Sequence, residues 1–446
     1  MSSSTKVNDP PTQAGGARRR GLIAPALLVL AGALCLLPFA FTRARAQDVV
    51  ITSEQKGSEV IAIGHVDFTV TRGNPRAVTF KPGDVIAGDL EFSGRFRVRR
   101  APAFTPGAKV LFGEDGALAY VRGEYALEGD RYTLQAELVD LESGEVILRR
   151  RYAGPRDELR DAAHRFSDEM VYQLFGEKGI ARTRIAYVNR RAGAKEIWVM
   201  DYDGADPRAV TRNGSINLNP VFTGEKNQLL LTSYLHGRPQ FYLSDAERGG
   251  LEPVFGARGM SSAPAYNRHD HELAYASTGD GNSEIYRRAM DGRDRAQRLT
   301  FSWSIETSPS WSPNGQELVF VSDRSGRPML YIMDRDGSNT RRVTYDFAYC
   351  GSPTWSPRGD RIAFAAMDDG NNFNIYTIAP DGGDPVRLTT GGSNESPTWS
   401  PDGRFIAFSS TRTGNPDIYV MRADGTDVRR LTWSGGNTMP SWSDFR

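Results

Sequence analysis

Short apolar runs alternate with turn residues throughout the second half of the chain. Residues 318–321, 362–365 and 405–408 are β-prone runs that each follow a Pro-X-Gly turn. A second apolar run then leads to an Asp-Gly pair, which favours a hairpin because Gly accepts a positive φ. A last short run ends in Val-Thr or Leu-Thr. Each unit is therefore predicted to be four strands joined by short turns.

The aromatic residue that opens each unit recurs every 43 to 45 residues. The series is Phe222, Tyr266, Trp311, Trp355, Trp399 and Trp442. Periods of about 40–50 residues are typical of four-stranded blades of a β-propeller. Because large aromatic side chains dominate core burial, we expect the tryptophans to pack between blades.

The number of units predicts six blades. Complete units occupy residues 219–255, 263–300, 308–344, 352–389 and 396–432. Residues 184–211 have the last three strands of a unit but lack the first, and residues 439–446 repeat only the first. We therefore predict that the C-terminal strand completes a sixth blade, which removes two open sheet edges. The propeller is assigned to residues 181–446.

Residues 58–180 do not repeat and mix helical and strand patterns. Residues 84–90 can begin a helix, and three β-prone segments follow at about 118–127, 131–140 and 145–152. Residues 157–175 place apolar side chains at helical spacing on one face. The pattern predicts a small N-terminal α/β domain before the propeller.

The first 46 residues have the features of a secretory signal peptide. Three arginines at 18–20 precede an apolar stretch at 21–41 and an Ala-Arg-Ala site. We expect cleavage between Ala46 and Gln47 and export of the mature chain. A retained membrane anchor is the alternative, since about 20 apolar residues can span a bilayer. The twin arginines leave both the Sec and the Tat export routes open.

Residues 47–57 join this leader to the α/β domain. Residues 48–52 are β-prone, whereas 53–57 are polar turn material. The segment is either the first strand of the domain or a mobile strand that can add to the sheet edge of a partner.

Composition and motifs argue against several classes of function. Lys plus Arg (55) balances Asp plus Glu (54), so no net field favours nucleic acid. The two cysteines, Cys35 and Cys350, cannot form a disulfide framework. The sequence contains no G-x-S-x-G elbow, P-loop or dinucleotide fingerprint.

We therefore expect neither catalysis nor a cofactor, and no dedicated metal site. The Asp-Gly segment at 201–206 resembles part of a calcium loop but lacks its terminal Glu. The pair His269 and His271 is explained by an exposed hairpin tip, and metal binding is the alternative.

Function is then expected on the loops of a rigid scaffold. The six loops that precede the aromatic-Ser-Pro units share one mouth of the ring by symmetry. They contain a polar and aromatic mixture that is typical of a recognition surface: Glu306, Thr307, Tyr349, Asn394, Glu395 and Asn437. Ordinary polar loops are the alternative interpretation.

Several motifs together resemble the TolB family, periplasmic components of the Tol–Pal system of Gram-negative bacteria. The repeated S-P-[ST]-W-S-P-x-G is shared with many propellers. More specific are D-L-E-F-S-G-R-F at 89–96, G-I-A-R-T-R-I-A-Y-V at 179–188 and the terminal P-S-W-S. The resemblance covers essentially the whole mature chain.

The resemblance implies a monomeric, non-enzymatic periplasmic adaptor that acts in envelope constriction and outer-membrane integrity. Family members bind the lipoprotein Pal at one mouth of the propeller, which extends the expected site to Ser262 and Ala263 beside Thr307. Their N-terminal segment binds the inner-membrane protein TolA. It corresponds here to Gln47, Asp48, Val49, Val50, Ile51, Thr52, Ser53, Glu54 and Gln55. The polar stretch 52–56 departs from the family pattern, as do residues 260–262.

Two other classes of function stay open from the sequence. One is an exported enzyme that uses acidic residues in the central channel of the ring. The other is a propeller that senses a small ligand or a metal ion.

Overall fold

We describe the protein from a computed structural model, which covers residues 60–446 except 192, 226, 256–258, 293 and 368–371. The expected signal peptide and residues 47–57 lie outside the described residues. Residues 60–446 form an α/β layer followed by six four-stranded sheets. No helix within this described part is long and apolar enough to cross a bilayer.

A mixed sheet carries the α/β layer. Its strands are β1 Ile61–Val66, β2 Thr69–Arg72, β3 Phe96–Ala101, β4 Ala119–Glu128, β5 Arg131–Asp140 and β6 Val146–Pro155. The order is β3-β1-β4-β5-β6, with β2 also paired to β4. The contacts of β1 with β3 and β4 are parallel, and β4, β5 and β6 form the antiparallel meander that the sequence predicted.

Helices cover both faces of this sheet. They are α1 Pro82–Phe92, α2 Pro106–Glu114 and α3 Leu159–Phe175, with short 3-10 turns at Pro75–Ala77 and Arg156–Glu158. On one face, Leu90 of α1 and Phe166 of α3 pack against Val121. On the other, Phe112 of α2 packs against Tyr120, because neighbouring strand residues point to opposite faces. The sequence predicted α1 and α3 but missed α2, β2 and β3.

Five blades have the predicted strand order. The first contains β10 Asn217–Phe222, β11 Gln228–Ser233, β12 Gln240–Asp245 and β13 Gly249–Pro253; the second, β14 Ser261–Asn267, β15 Glu272–Ser277, β16 Glu284–Ala289 and β17 Gln297–Arg298. The third contains β18 Glu306–Trp311, β19 Glu317–Ser322, β20 Met329–Asp334 and β21 Arg341–Arg342. The fourth contains β22 Tyr349–Trp355, β23 Ile362–Met367, β24 Phe373–Ala379 and β25 Gly382–Arg387; the fifth, β26 Asn394–Trp399, β27 Phe405–Ser410, β28 Asp417–Arg422 and β29 Arg429–Arg430.

The sixth blade joins the two ends of the ring. Strand β30 Asn437–Trp442 pairs with β7 Arg184–Arg191, followed by β8 Ala194–Asp201 and β9 Arg208–Ala209. The indole Nε1 of Trp442 donates to Thr183 Oγ1 at 2.8 Å, and Ser443 N donates to the Arg184 carbonyl at 2.8 Å. The predicted six-bladed propeller and its closure by the C-terminal strand are therefore confirmed.

Each inner strand contains a β-bulge that the sequence pattern did not reveal. The register with the second strand shifts after its second or third residue, as between Thr307 and Ser310. The residue before the repeated proline adopts a left-handed φ, for example 52° at Ser308 and 53° at Ser396. An extra residue inserted in this way bends a strand without ending it. The inner strands therefore begin two or three residues before this left-handed residue.

Candidate functional site

The six inner strands begin at one end of the ring, which we call the open mouth. Their first residues are Asn217, Ser261, Glu306, Tyr349, Asn394 and Asn437. The α/β layer packs at the opposite end, where Phe92 contacts Tyr202 and Phe405 with ring centroids 4.5 and 5.1 Å apart. The repeated proline of each inner strand and the residue before it line a central cavity of about 370 Å³.

The expected loop residues at the open mouth prove to lie mainly in strands. Glu306, Thr307, Tyr349, Asn394, Glu395 and Asn437 belong to β18, β22, β26 and β30, because each strand extends past its bulge. Ser262 and Ala263 likewise lie in β14. The expectation that these residues lie in loops was therefore wrong.

Three of these residues are fully buried. Glu306 Oε1 accepts from Ser322 Oγ at 2.9 Å and from Arg324 Nη2 at 3.0 Å. Asn394 Oδ1 accepts from Arg412 Nη2 at 3.0 Å, and Asn437 Nδ2 donates to the Asp417 carboxylate at 2.7 Å. Their contacts join neighbouring blades and loops, so a structural role accounts for these side chains.

The remaining predicted residues reach the solvent. Ser262 and Glu395 are exposed, and Ala263 and Thr307 are partly exposed. Ser262, Thr307 and Glu395 occupy equivalent positions, one residue after the buried position. Side chains alternate across a strand, so this neighbouring position points away from the blade junction. Tyr349 is 39% exposed and packs edge-on against Phe373.

Sequence reasoning missed a set of exposed apolar side chains around the open mouth. We call this set the apolar rim: Met260, Phe301, Trp303, Ile305, Tyr345 and Trp433, with exposed fractions of 55–102%. Three of them have a recognisable signal, since Phe301, Tyr345 and Trp433 directly follow the Thr that ends a unit. Apolar side chains concentrated on one surface are typical of protein interaction sites.

Phe301, Trp303 and Ile305 of the apolar rim belong to one loop, and hydrogen bonds hold this loop in a defined shape. Ser302 N donates to Glu284 Oε1 at 2.9 Å, and Ile305 N donates to Asp323 Oδ1 at 2.8 Å. The guanidinium of Arg298 stacks over the Phe301 ring at 4.8 Å. Trp303 is thus presented to solvent from a fixed backbone, and less ordering entropy is lost when such a side chain binds a partner.

A buried ionic network fastens the α/β layer to the opposite end of the ring. The Asp89 carboxylate accepts from Tyr202 Oη at 2.8 Å and from Ser167 Oγ at 2.8 Å, and lies 2.9 Å from His164 Nδ1. Burial opposes a charge on His164, but Asp89 and Asp201 overcome it and raise its pKa to about 10. The neighbouring carboxylates therefore favour the protonated, cationic form of His164.

The same network is the best candidate for a metal centre among the described residues. Ligand atoms of Asp89, His164 and Asp203 lie within 4.8 Å of one another. The raised pKa of His164 favours a protonated imidazole, which has no lone pair to offer a metal, and Asp203 is already paired with Arg160. The geometry fits an ion-pair network better than a metal site.

The histidine pair has hydrogen-bond partners within the protein, and the free cysteine is buried. His269 Nε2 lies 2.9 Å from the Pro313 carbonyl, and His271 Nδ1 lies 2.7 Å from Tyr266 Oη. Both histidines lie in the turn between β14 and β15 and face different partners, as the hairpin-tip interpretation expects. Burial raises the pKa of the Cys350 thiol to about 12.

Comparison with known proteins gives consistent matches. A family model described as the TolB beta propeller domain matches residues 171–349 and 347–445. A TolB homolog of Chlorobium luteolum is 38% identical over 60% of this chain, and one of Chlorobium chlorochromatii is 34% identical over 67%. The Tol-Pal system protein TolB of Bordetella pertussis is 30% identical over 64%.

These alignments span 61–68% of the length of the curated relatives. The crystal structure of TolB from Acinetobacter baumannii superposes with a TM-score of 0.74 at 24% identity, covering 86% of this chain and 97% of that one. The structural match supports the combination of an N-terminal α/β layer with a six-bladed propeller.

Proposed function

Because this chain belongs to the TolB family, we propose that it is a non-enzymatic periplasmic adaptor that binds Pal at the open mouth of its propeller. In this proposal, TolA binds the N-terminal segment of the mature chain, residues 47–57. The two contacts would link envelope layers during division and support outer-membrane integrity. Export by the expected signal peptide would deliver the protein to the periplasm.

The apolar rim is the observation that supports the choice of the open mouth. The opposite end is covered in part by the α/β layer, whereas Trp303 and Tyr345 at the open mouth face solvent. Exposed aromatic side chains on a fixed backbone are the residue type that most often dominates binding energy in protein interfaces. Ser262, Ala263, Thr307, Tyr349 and Glu395 would complete this surface.

Replacement of Tyr345 by Ala tests the proposed surface. Tyr345 is 61% exposed, so its truncation should leave folding intact and weaken Pal binding by about 1–4 kcal/mol if it is a central contact. Tyr172→Ala is the matched control, since Tyr172 is 63% exposed on α3 in the α/β layer. Titration calorimetry with purified Pal would measure both. Equal affinities for the two variants and the wild type would refute the placement.

Deletion of residues 47–55 tests the second contact. We expect TolA binding to be lost while Pal binding is retained or strengthened, since the two surfaces are separate in the proposal. Pull-down of each partner with the wild-type and truncated mature proteins measures this directly. Equal loss of both partners would reject a two-site adaptor.

Charge reversal of Glu306 is unsuitable as a binding test. Its carboxylate is fully buried and bonded to Arg324, so reversal would place an unpaired cation in the junction. Breaking such a buried pair destabilises a fold strongly. A loss of binding in that variant would therefore report unfolding.

A further inference from the structure

Neighbouring blades meet at the open mouth through a recurring polar pair. One member lies near the start of the third strand of a blade, and the other lies at the start of the next inner strand. Asn217 Nδ2 donates to Glu196 Oε2 at 3.0 Å, and Asn437 Nδ2 donates to Asp417 Oδ1 at 2.7 Å. In both junctions the inner strand supplies the donor and the preceding blade supplies the acceptor.

The junction between the second and third blades places two acids at these positions. Glu284 pairs in register with Ser277, as Asp417 does with Ser410 in its own blade. Glu306 begins its inner strand as Asn437 begins the last one. Both glutamate side chains are 0% exposed. A buried carboxylate therefore occupies the position from which an asparagine donates elsewhere.

Each glutamate has one bonded oxygen and one without a donor. Glu284 Oε1 accepts from Arg298 Nη2 at 2.6 Å and Ser302 N at 2.9 Å. Glu306 Oε1 accepts from Ser322 and Arg324. The Oε2 atoms of both side chains are buried and lack a hydrogen-bond partner among the described residues. Unpaired buried carboxylate oxygens are costly, so the native structure calls for a missing donor.

We propose that Glu284 and Glu306 share one proton, and that an O–H group on this pair supplies the donor that asparagine supplies in the equivalent junctions. In this arrangement, one Oε2 atom carries the proton and donates it to the Oε2 atom of the other carboxylate, so that both atoms gain a partner. Two adjacent buried carboxylates cannot easily both be ionised, so a shared proton also removes their repulsion.

The surrounding charges favour a proton over a metal ion. Arg298 and Arg324 each pair with one oxygen of one carboxylate, and Arg298 also lies 3.8 Å from Asp280. A divalent cation would add two further positive charges beside these guanidinium groups, whereas a proton adds one. Burial raises the pKa of Glu306, and the charge of Glu284 raises it further, while Arg324 opposes both effects.

Other titratable groups lie around the pair without replacing the missing donor. Asp323 accepts from Ile305 N, and Tyr286 Oη donates to Asp280 at 2.6 Å. Tyr286 is held protonated, because burial raises its pKa strongly. Within this junction, the expected pH response therefore belongs to the proposed shared proton.

The proton would control the shape of the rim loop. Glu284 accepts from Ser302 N, and Glu306 N donates to the Ser283 carbonyl at 2.9 Å, so both acids hold the segment that carries Trp303. Release of the proton would leave two repelling carboxylates at its base. The folded state binds this proton more tightly than the unfolded chain. Its stabilising effect is therefore present in acid and lost as pH rises through the pKa of the pair.

Denaturant unfolding of the full mature chain between pH 5 and pH 8 tests the proposal through Glu306→Gln. The amide supplies a permanent donor in place of the proton. We expect the folded-to-unfolded ratio of the wild type to fall relative to Glu306→Gln as pH rises, by up to about tenfold per pH unit within the window. Glu395→Gln, at an exposed position of another inner strand, should retain the wild-type pH profile.

Parallel pH profiles for the wild type and Glu306→Gln would overturn the proposal. A folded-to-unfolded ratio of the wild type that rises relative to that of the variant at higher pH would also overturn it. This assay contains no binding partner, so its failure is distinct from failure of the proposed adaptor function.

Infrared spectroscopy provides a second readout if Glu306→Gln does not fold. The C=O band of a protonated carboxyl should persist above the pH at which exposed carboxyls lose their protons, and disappear as pH rises further. The measurement is made in an Asp168→Asn background, because burial raises the pKa of Asp168 to about 7. The absence of a protonated-carboxyl band in that folded protein would overturn the proposal.

Discussion

Truncation of Trp442 to Ala should show how strongly the stability of the ring depends on its closing strand. The indole is 6% exposed and packs with Ile185 and Phe405, which lie on either side of the closure. Its Nε1 donates to Thr183 Oγ1, so the variant loses both packing and a buried hydrogen bond. Removing a buried tryptophan side chain typically costs about 3–5 kcal/mol.

That loss is large compared with the stability of an ordinary domain, about 5–15 kcal/mol. Trp433→Ala is the matched control, because Trp433 lies nine residues earlier and is 68% exposed. An exposed substitution of this kind usually changes stability by no more than about 0.5 kcal/mol. Equilibrium denaturation in urea, followed by circular dichroism, would compare the two midpoints.

Deletion of residues 439–446 extends the same experiment. It removes most of β30 with Trp442, and leaves β7 without its inner neighbour. We therefore expect a larger loss of stability than for Trp442→Ala alone. An unfolding midpoint that is unchanged by the deletion, or equal for Trp442→Ala and Trp433→Ala, would refute the role assigned to the closure.

Three further predictions concern the ionic network, the thiol and bound metal. His164→Gln should lower the free energy of unfolding most below about pH 6.5, because the raised pKa of His164 stabilises the fold only while the ring is protonated. The difference in stability between the variant and the wild type should shrink as pH rises through about 10. A pH-independent difference would contradict this. Cys350 should react with a thiol reagent far more slowly in the native protein than in urea, since it is buried and its pKa is raised to about 12; equal rates would show that it is accessible. Calcium should leave the unfolding midpoint unchanged, whereas a clear upward shift would favour the metal-sensing alternative.

The repeat pattern was enough to predict the architecture of the propeller. Five of the six blades are local units, and in the third to fifth of them the aromatic opening, the Pro-X-Gly turn and the Asp-Gly turn lie within about 44 residues. Hairpins form between neighbouring segments, so their order can be read directly from the chain. Helical spacing of apolar residues predicted α3, whereas the short helix α2 carries only two buried side chains, Ala108 and Phe112, and left a weaker pattern.

Candidate site residues were harder to predict because strand register determines which way each side chain points. The bulge before the repeated proline extends every inner strand, so Glu306 and Thr307 are neighbours in sequence but differ in burial. A shift of one residue exchanges the two faces of a strand. From composition alone, the buried carboxylate of Glu306 and the partly exposed hydroxyl of Thr307 were therefore assigned to the same surface.

The sequence by itself determined the number of blades, their strand order and the closure by residues 439–446, because these depend on contacts between segments that are adjacent or repeat one another. Tertiary structure decided which polar groups are buried and which apolar groups are exposed. Glu284 and Glu306 are 22 positions apart, and the charge of Glu284 acts on Glu306 only because blades pack side by side. Likewise, Trp303 and Tyr345 belong to one surface only because the loops that carry them lie at the same end of the ring, the open mouth.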